Sequence, residues 1–155
     1  MEAARPNNME IVRRAIEAED NNDNEQLAQL TASTHIGHSL YDAYDFIKGE
    51  QSGYDFETTR EQQEKWLAYL REQYPHTRTT IDEMFEVGDD KVVYITTTTS
   101  THKSGKEITT KGMSLDRIAD GKIVESWNSW DRLGYWQQLG FVPHVKELLA
   151  QFNKL

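Results

Sequence analysis

The stretch IVESWNSWD, residues 123–131, holds two tryptophans, two serines, an asparagine and an aspartate. Its strand-like alternation places Ser126, Asn128 and Trp130 on one face and Trp127 on the other. An asparagine amide donates and accepts hydrogen bonds but has no useful proton affinity. Asn128 can therefore hold a carbonyl or a water, and another group must act as the base. Asp116 shares its parity with Gly112 and Ser114 on the preceding strand pattern. It either faces an interior, where burial raises a carboxyl toward neutrality, or stands as a strand-end carboxylate in solvent. Asp131 precedes RLGYWQQL and suits a helix N-cap as well as an acid/base role. His35 and His38 lie three apart beside Tyr41 and Asp42. They fit a general base at a cavity mouth, or a metal pair if the segment is a helical turn. Such spacing is common by chance, and no metal site is expected of it alone. His102, beside the turn KSGK, is expected to be exposed.

The elements that must position these groups follow from the pattern. MEIVRRAIEAEDN puts Met9, Val12, Ile16 and Glu19 on one helical face, with Asn8 as the expected N-cap and NNDN as the stop. EQLAQLT carries Leu27 and Leu30 on a short second helix. Residues 32–60, with His35, His38, Tyr41, Tyr44, Phe46, Tyr54 and Phe56 among Gly, Ser and Asp, have the look of a long aromatic loop. Thr59 and Gln62 fit a capping box for a helix carrying Trp66, Leu67, Leu70 and Tyr74 and ended by Pro75. The period then changes to two. GDD, KSGK and ADGK divide residues 79–131 into four strands of an antiparallel meander. A short helix stopped by Gly140 and a last one begun by Pro143 complete the order. Helices followed by strands predict an α+β fold, with a curved antiparallel sheet packed against N-terminal helices in a single domain spanning 1–155.

A chain of 155 residues can bury a core without disulfides or structural metal. It has no cysteine, which excludes a disulfide framework, a thiolate nucleophile and a zinc–thiolate site. A formal net charge of -9 without a basic stripe argues against nucleic acid and acidic membrane surfaces as partners. MEAARPNNME lacks the apolar core of a secretory leader, and the expected location is cytoplasmic. A pocket with Trp130, Trp66, Tyr69 and Asn128, joined by Tyr44, suits a flat, mainly apolar or aromatic small molecule held by a few polar contacts.

Three segments carry a family resemblance. RIADGKIVESWNSWDRLGYWQQLG (117–140), IVRRAIEAEDNND and GDDKVVYITTTTSTHKSGKEI resemble the SnoaL-like polyketide cyclases of the nuclear transport factor 2-like superfamily. The resemblance implies a cone: a strongly bent sheet wrapped against helices around an apolar cavity, in a protein that often forms homodimers. It implies cofactor-free acid/base chemistry. In the cyclases an aspartate on the tryptophan strand is the acid/base, and its place is Asn128 here. A glutamine and a histidine on the preceding strand correspond to Gly112 and Ser114, and a cyclase asparagine falls near Gly37, between His35 and His38. Ring closure is thus not expected of this chain. The resemblance leaves hydrolysis, isomerisation or dehydration, with Asn128 orienting and Asp116, Asp131, His35 or His38 as base. It also leaves a non-catalytic binding or dimerisation domain.

Overall fold

The computed structural model describes residues 7–45 and 49–154. The chain opens with α1 (Asn8–Asp20) and α2 (Asn24–Leu30). The N-cap of α1 is Asn7, one residue before the expected Asn8, and its side chain accepts from the Glu10 amide. Asn8 is instead the first helical residue and donates its Nδ2 to the Asp89 carbonyl at 3.1 Å, fastening the helix to a sheet turn. Val12, Ala15 and Ala18 of α1 and Leu27 and Leu30 of α2 bury their side chains against Val92, Ile118 and Ile123 of the sheet. Each such aliphatic burial is worth about 1.5–3 kcal/mol, so this contact anchors the helices on one sheet face.

The strands are β1 (Thr31–Asp45), β2 (Glu50–Thr59), β3 (His76–Val87), β4 (Lys91–Thr101), β5 (Glu107–Ala119) and β6 (Lys122–Trp130). Helix α3 (Arg60–Gln73) joins β2 to β3, and α4 (Arg132–Leu139) and α5 (Val145–Phe152) follow β6. The sheet order is β2-β1-β6-β5-β4-β3. The four-stranded meander is present as expected, and Asp120 and Gly121 both have positive φ, as a two-residue ADGK hairpin turn requires.

Two expectations are corrected. Within the expected loop over 32–60, residues 32–45 and 50–59 are strand instead, β1 and β2 paired antiparallel. The sheet is not wholly antiparallel either, because β1 runs parallel to β6, with Gly37 opposite Ser126 and Ser39 opposite Asn128. Register shifts in β1, β3 and β5 mark where strands bend, and the sheet curves around the helices. Its concave inner face carries Tyr94, Ser114, Asp116, Ser126 and Asn128, paired side by side across β4, β5 and β6. The capping box of α3 forms as expected, with Gln62 N donating to Thr59 Oγ1 at 3.3 Å and Thr59 N to Gln62 Oε1 at 2.8 Å. No residue of α3 is fully buried, and the helix meets the core through Leu67, which is partly buried against it.

Candidate functional site

Asp116 lies in the middle of the inner face and retains only 3% of its surface. The solvent-exposed alternative is thereby excluded. Tyr94, one strand away, donates its hydroxyl to Oδ2 at 3.0 Å. Ser126, across the β5–β6 pairing, donates to Oδ1 at 2.5 Å. Burial raises the Asp116 pKa from 3.8 to about 6, against these two donors, which favour the carboxylate. A serine hydroxyl has one proton, and Ser126 gives it to Asp116. The His35 Nε2, 2.9 Å from Ser126 Oγ, is then the donor of that contact. Burial holds His35 below its ordinary pKa, so the ring is neutral at neutral pH. The result is a continuous relay from β1 through β6 and β5 to β4: His35, Ser126, Asp116, Tyr94.

One residue pair toward the open end, Ser114 donates to Asn128 Oδ1 at 2.8 Å. Ser39, opposite Asn128 on β1, is buried, and its hydroxyl has no hydrogen-bond partner among the described residues. Gly112 pairs with Trp130, and a Cβ on Gly112 would come within 2.8 Å of the Trp130 Cβ. Its role in the observed structure is thus to make room for the indole. Trp130 meets Tyr41 edge-on at 6.1 Å and Tyr135 at 5.3 Å, with the Arg132 guanidinium 4.1 Å over the Tyr41 ring. Tyr74 and Tyr135 join through their hydroxyls. Trp66 and Tyr69 stack on α3 at 5.6 Å. The inner face thus runs from a carboxylate relay to an aromatic rim.

Glu19, noted in the sequence only as part of a helical face, belongs to this region. Its side chain is exposed at the surface, so the burial that would raise its pKa is weak; the nearby charges of Asp116 and Asp20 raise it further, with Arg71 pulling the other way. Its sequence signal was a carboxylate seven residues after Val12 on an otherwise apolar stripe. Tyr94 and Ser126 also went unremarked as site residues. Their signal was their parity with Ser114 and Asn128.

The other expected residues are placed elsewhere. His38 lies on the outer sheet face, because residues 35 and 38 of a strand point to opposite sides. Its Nδ1 is 2.6 Å from Asp55 and its Nε2 2.8 Å from Glu125, and the ring stacks on Trp127 at 4.7 Å. The hydrogen bonds to Asp55 and then Glu125 raise its pKa. Asp131 caps α4, accepting from the Gly134 amide at 2.8 Å. The backbone of Tyr44 pairs with Gln51, while its side chain, like Phe46, lies outside the described residues. His102 bonds Ser104 at its turn. Among the described residues no group of three His, Asp or Glu side chains is arranged to hold a metal ion. A groove of about 760 Å³ between the end of α1 and the ends of β3, β4 and β5 is polar, lined among others by Asp20, His76, Arg78 and Glu107. It contains none of the relay residues.

A bent six-stranded sheet with helices on its concave face defines a cone-type α+β protein of the nuclear transport factor 2-like kind. The model of the SnoaL-like polyketide cyclases matches residues 11–139, and the chain belongs to that family. Wild-type IdmH of Streptomyces antibioticus, described as a candidate polyketide cyclase, superposes with a TM-score of 0.73 at 22% identity, over 86% of this chain and 99% of that one. AclR of Streptomyces galilaeus, a candidate hydroxylase, gives 0.73 at 16% identity, over 96% and 94%. TerC, co-crystallised with polyporic acid, gives 0.68 at 17% identity, over 86% and 98%. These likenesses establish the fold. No curated protein sequence matches the chain.

Proposed function

We propose that the protein binds a small, mainly apolar or aromatic carbonyl compound against its inner sheet face and performs cofactor-free acid/base chemistry on it, of the isomerase, dehydratase or hydrolase type. The observation that carries this reading is Asp116, a buried carboxyl raised to about 6 and held by Ser126 and Tyr94. A base poised near neutrality is what proton abstraction beside a carbonyl requires. Asn128 orients the substrate: Ser114 occupies its Oδ1, which leaves the amide N–H groups to hold a carbonyl or a water. The unpartnered Ser39 hydroxyl supplies a further contact. Trp130, Trp66 and Tyr69 offer flat apolar walls. His38 and Asp131 are left out of the chemistry, since the first is on the outer face and the second caps a helix.

Native mass spectrometry of the purified protein, followed by small-molecule analysis, identifies the compound class to assay. Turnover is expected to rise with pH through about 6, as Asp116 ionises, and to fall at least ~100-fold in Asp116→Asn. Full activity in that variant would remove Asp116 from the chemistry. A ligand that stabilises the protein without turnover would favour a binding module, the reading to which an asparagine at the family's acid/base position also points.

The proposed homodimer is supported by the outer face, where Ile36, Leu40, Phe85, Val87 and Met113 are exposed. Light scattering tests it.

A further inference from the structure

We infer that His38 is a pH-sensitive clasp on the outer sheet face: doubly protonated, its ring ties the edge strand β2 to the β1–β6 seam, and on losing one proton it lets go of Asp55 and loosens β2. The clasp lies on the opposite sheet face from Asp116 and does not depend on the chemistry there. Strand β2 ends the sheet, with β1 as its one strand neighbour among the described residues. Its continuous pairing with β1 runs from Thr34 opposite Thr59 to His38 opposite Asp55, and then breaks before Ala43 meets Gly53. On the other side of β1, the parallel pairs with β6 run from Ile36 opposite Glu125 to Ser39 opposite Asn128. His38 thus sits where both ladders of β1 are about to end. From there its ring reaches both neighbours, with Nδ1 2.6 Å from Asp55 Oδ1 on β2 and Nε2 2.8 Å from Glu125 Oε1 on β6. It lies nearly flat on Trp127 of β6, with 14° between the planes and 4.7 Å between centroids. Arg117 of β5 donates its Nε to the other Glu125 oxygen at 2.7 Å, so one chain of charges crosses β2, β1, β6 and β5. Glu57, two residues past Asp55 on the same side of β2, adds a further negative charge. His35 shares the strand with His38 but faces inward, against Ser126.

Ionised carboxylates accept hydrogen bonds and cannot donate them. Both contacts of the ring are therefore hydrogen bonds only while both of its nitrogens carry protons. A neutral imidazole has a single N–H, and its other nitrogen turns a lone pair toward a carboxylate oxygen. One of the two contacts must then break, and exposure decides which. The Glu125 side chain is 17% exposed and already bound to Arg117, whereas that of Asp55 is 77% exposed, so water can replace the ring there. The neutral ring keeps its Nε2–H on Glu125 and releases Asp55. Loss of the proton also removes the attraction of a cationic ring for the Trp127 face. What then holds β2 to β1 at this point is the backbone ladder alone, with a break just beyond it. The hydrogen bonds to Asp55 and then Glu125 raise the His38 pKa above its ordinary value of 6.5. The clasp is accordingly closed below the folded midpoint and opens as pH rises through it. Strand β1 carries His35 to Ser126 on its inner side, so the clasp braces the strand from which that contact is made.

The test uses the full chain, with 15N NMR of the histidine rings and amide hydrogen exchange of the strands. Above its midpoint His38 is expected as the Nε2–H tautomer, and an Nδ1–H tautomer overturns the release of Asp55. Protection of the β2 amides between Phe56 and Thr58, taken relative to β4 and β5 at the same pH, is expected to fall about 3–10-fold as the ring loses its proton. In His38→Gln that ratio is expected to stay level across the same range. Asp55→Asn is expected to lower the His38 midpoint by about half a pH unit or more and to abolish the change in protection. A wild-type ratio that stays within about 1.5-fold, or one that falls as far in His38→Gln, overturns the clasp. So does a His38 midpoint indifferent to Asp55→Asn.

Discussion

His35 and His38 share one strand and lie three residues apart, yet they live in opposite electrostatic worlds. His35 faces inward, is held neutral by burial and touches the Ser126–Asp116 relay. His38 faces outward, has its pKa raised by hydrogen bonds to Asp55 and Glu125, and stacks on Trp127. Arg117 joins the same outer cluster through Glu125 at 2.7 Å. The inner wall thus keeps groups whose charge is suppressed and which can exchange protons near neutral pH. The outer wall keeps groups whose charges are satisfied. The difference arises from strand geometry and burial, since the residue type is the same.

Four substitutions break or sharpen this contrast. The largest effect is expected from Asp116→Asn. Its carboxyl is raised from 3.8 to about 6, so between those values the folded protein holds a proton that the unfolded chain has released. Stability therefore falls as pH rises through that range, and the loss persists above it. Removing the charge is expected to raise stability at pH 7.5 by about 1–3 kcal/mol, while flattening the pH dependence, as read by urea denaturation. Next comes the histidine pair. His35, with its pKa lowered, withholds a proton that the unfolded chain takes up, so its contribution to stability falls as pH drops below 6.5. His38, with its pKa raised, stabilises below 6.5 and loses that contribution as pH rises through its folded value. His35→Gln is expected to cost about 1–2 kcal/mol and to flatten the acid side of the profile. His38→Gln costs about 0.5 kcal/mol and flattens the alkaline side. Equal slopes in the two variants would erase the distinction between the faces. The smallest effect is a control: Asp131→Ala removes the α4 cap and is expected to cost about 1 kcal/mol, as read by urea denaturation.

Much of this architecture was legible in the residues. Period-two alternation, with GDD, KSGK and ADGK as breaks, marked β3 to β6, and Thr59 with Gln62 marked the start of α3. The β1–β2 hairpin was not legible, because its strand signals are mixed. His35, Gly37 and Ser39 on the inner side are polar or small where alternation would ask for apolar residues, and Ile36 and Leu40 are exposed on the outer side. Gly37 exists for a reason no local pattern reveals: a Cβ there would lie 2.2 Å from the Phe56 ring. At the site, the parity of Asp116, Ser114, Ser126 and Asn128 could be read from the strands. The identity of their partners could not. His35 meets Ser126 only because β1 docks in parallel against β6.

That parallel seam has a consequence for how the molecule is made. Thr31 lies beside Ile123 and His35 beside Ser126, contacts that span about ninety residues of chain. Closing so large a loop is an entropic cost that hairpins such as β3–β4 do not meet, and non-local pairing is slow. The meander can assemble from neighbours, but the relay is complete only once the beginning of the chain returns to its last strand. A chain growing from its N-terminus must release residue 126 before His35 has its partner, so the parallel seam is set late.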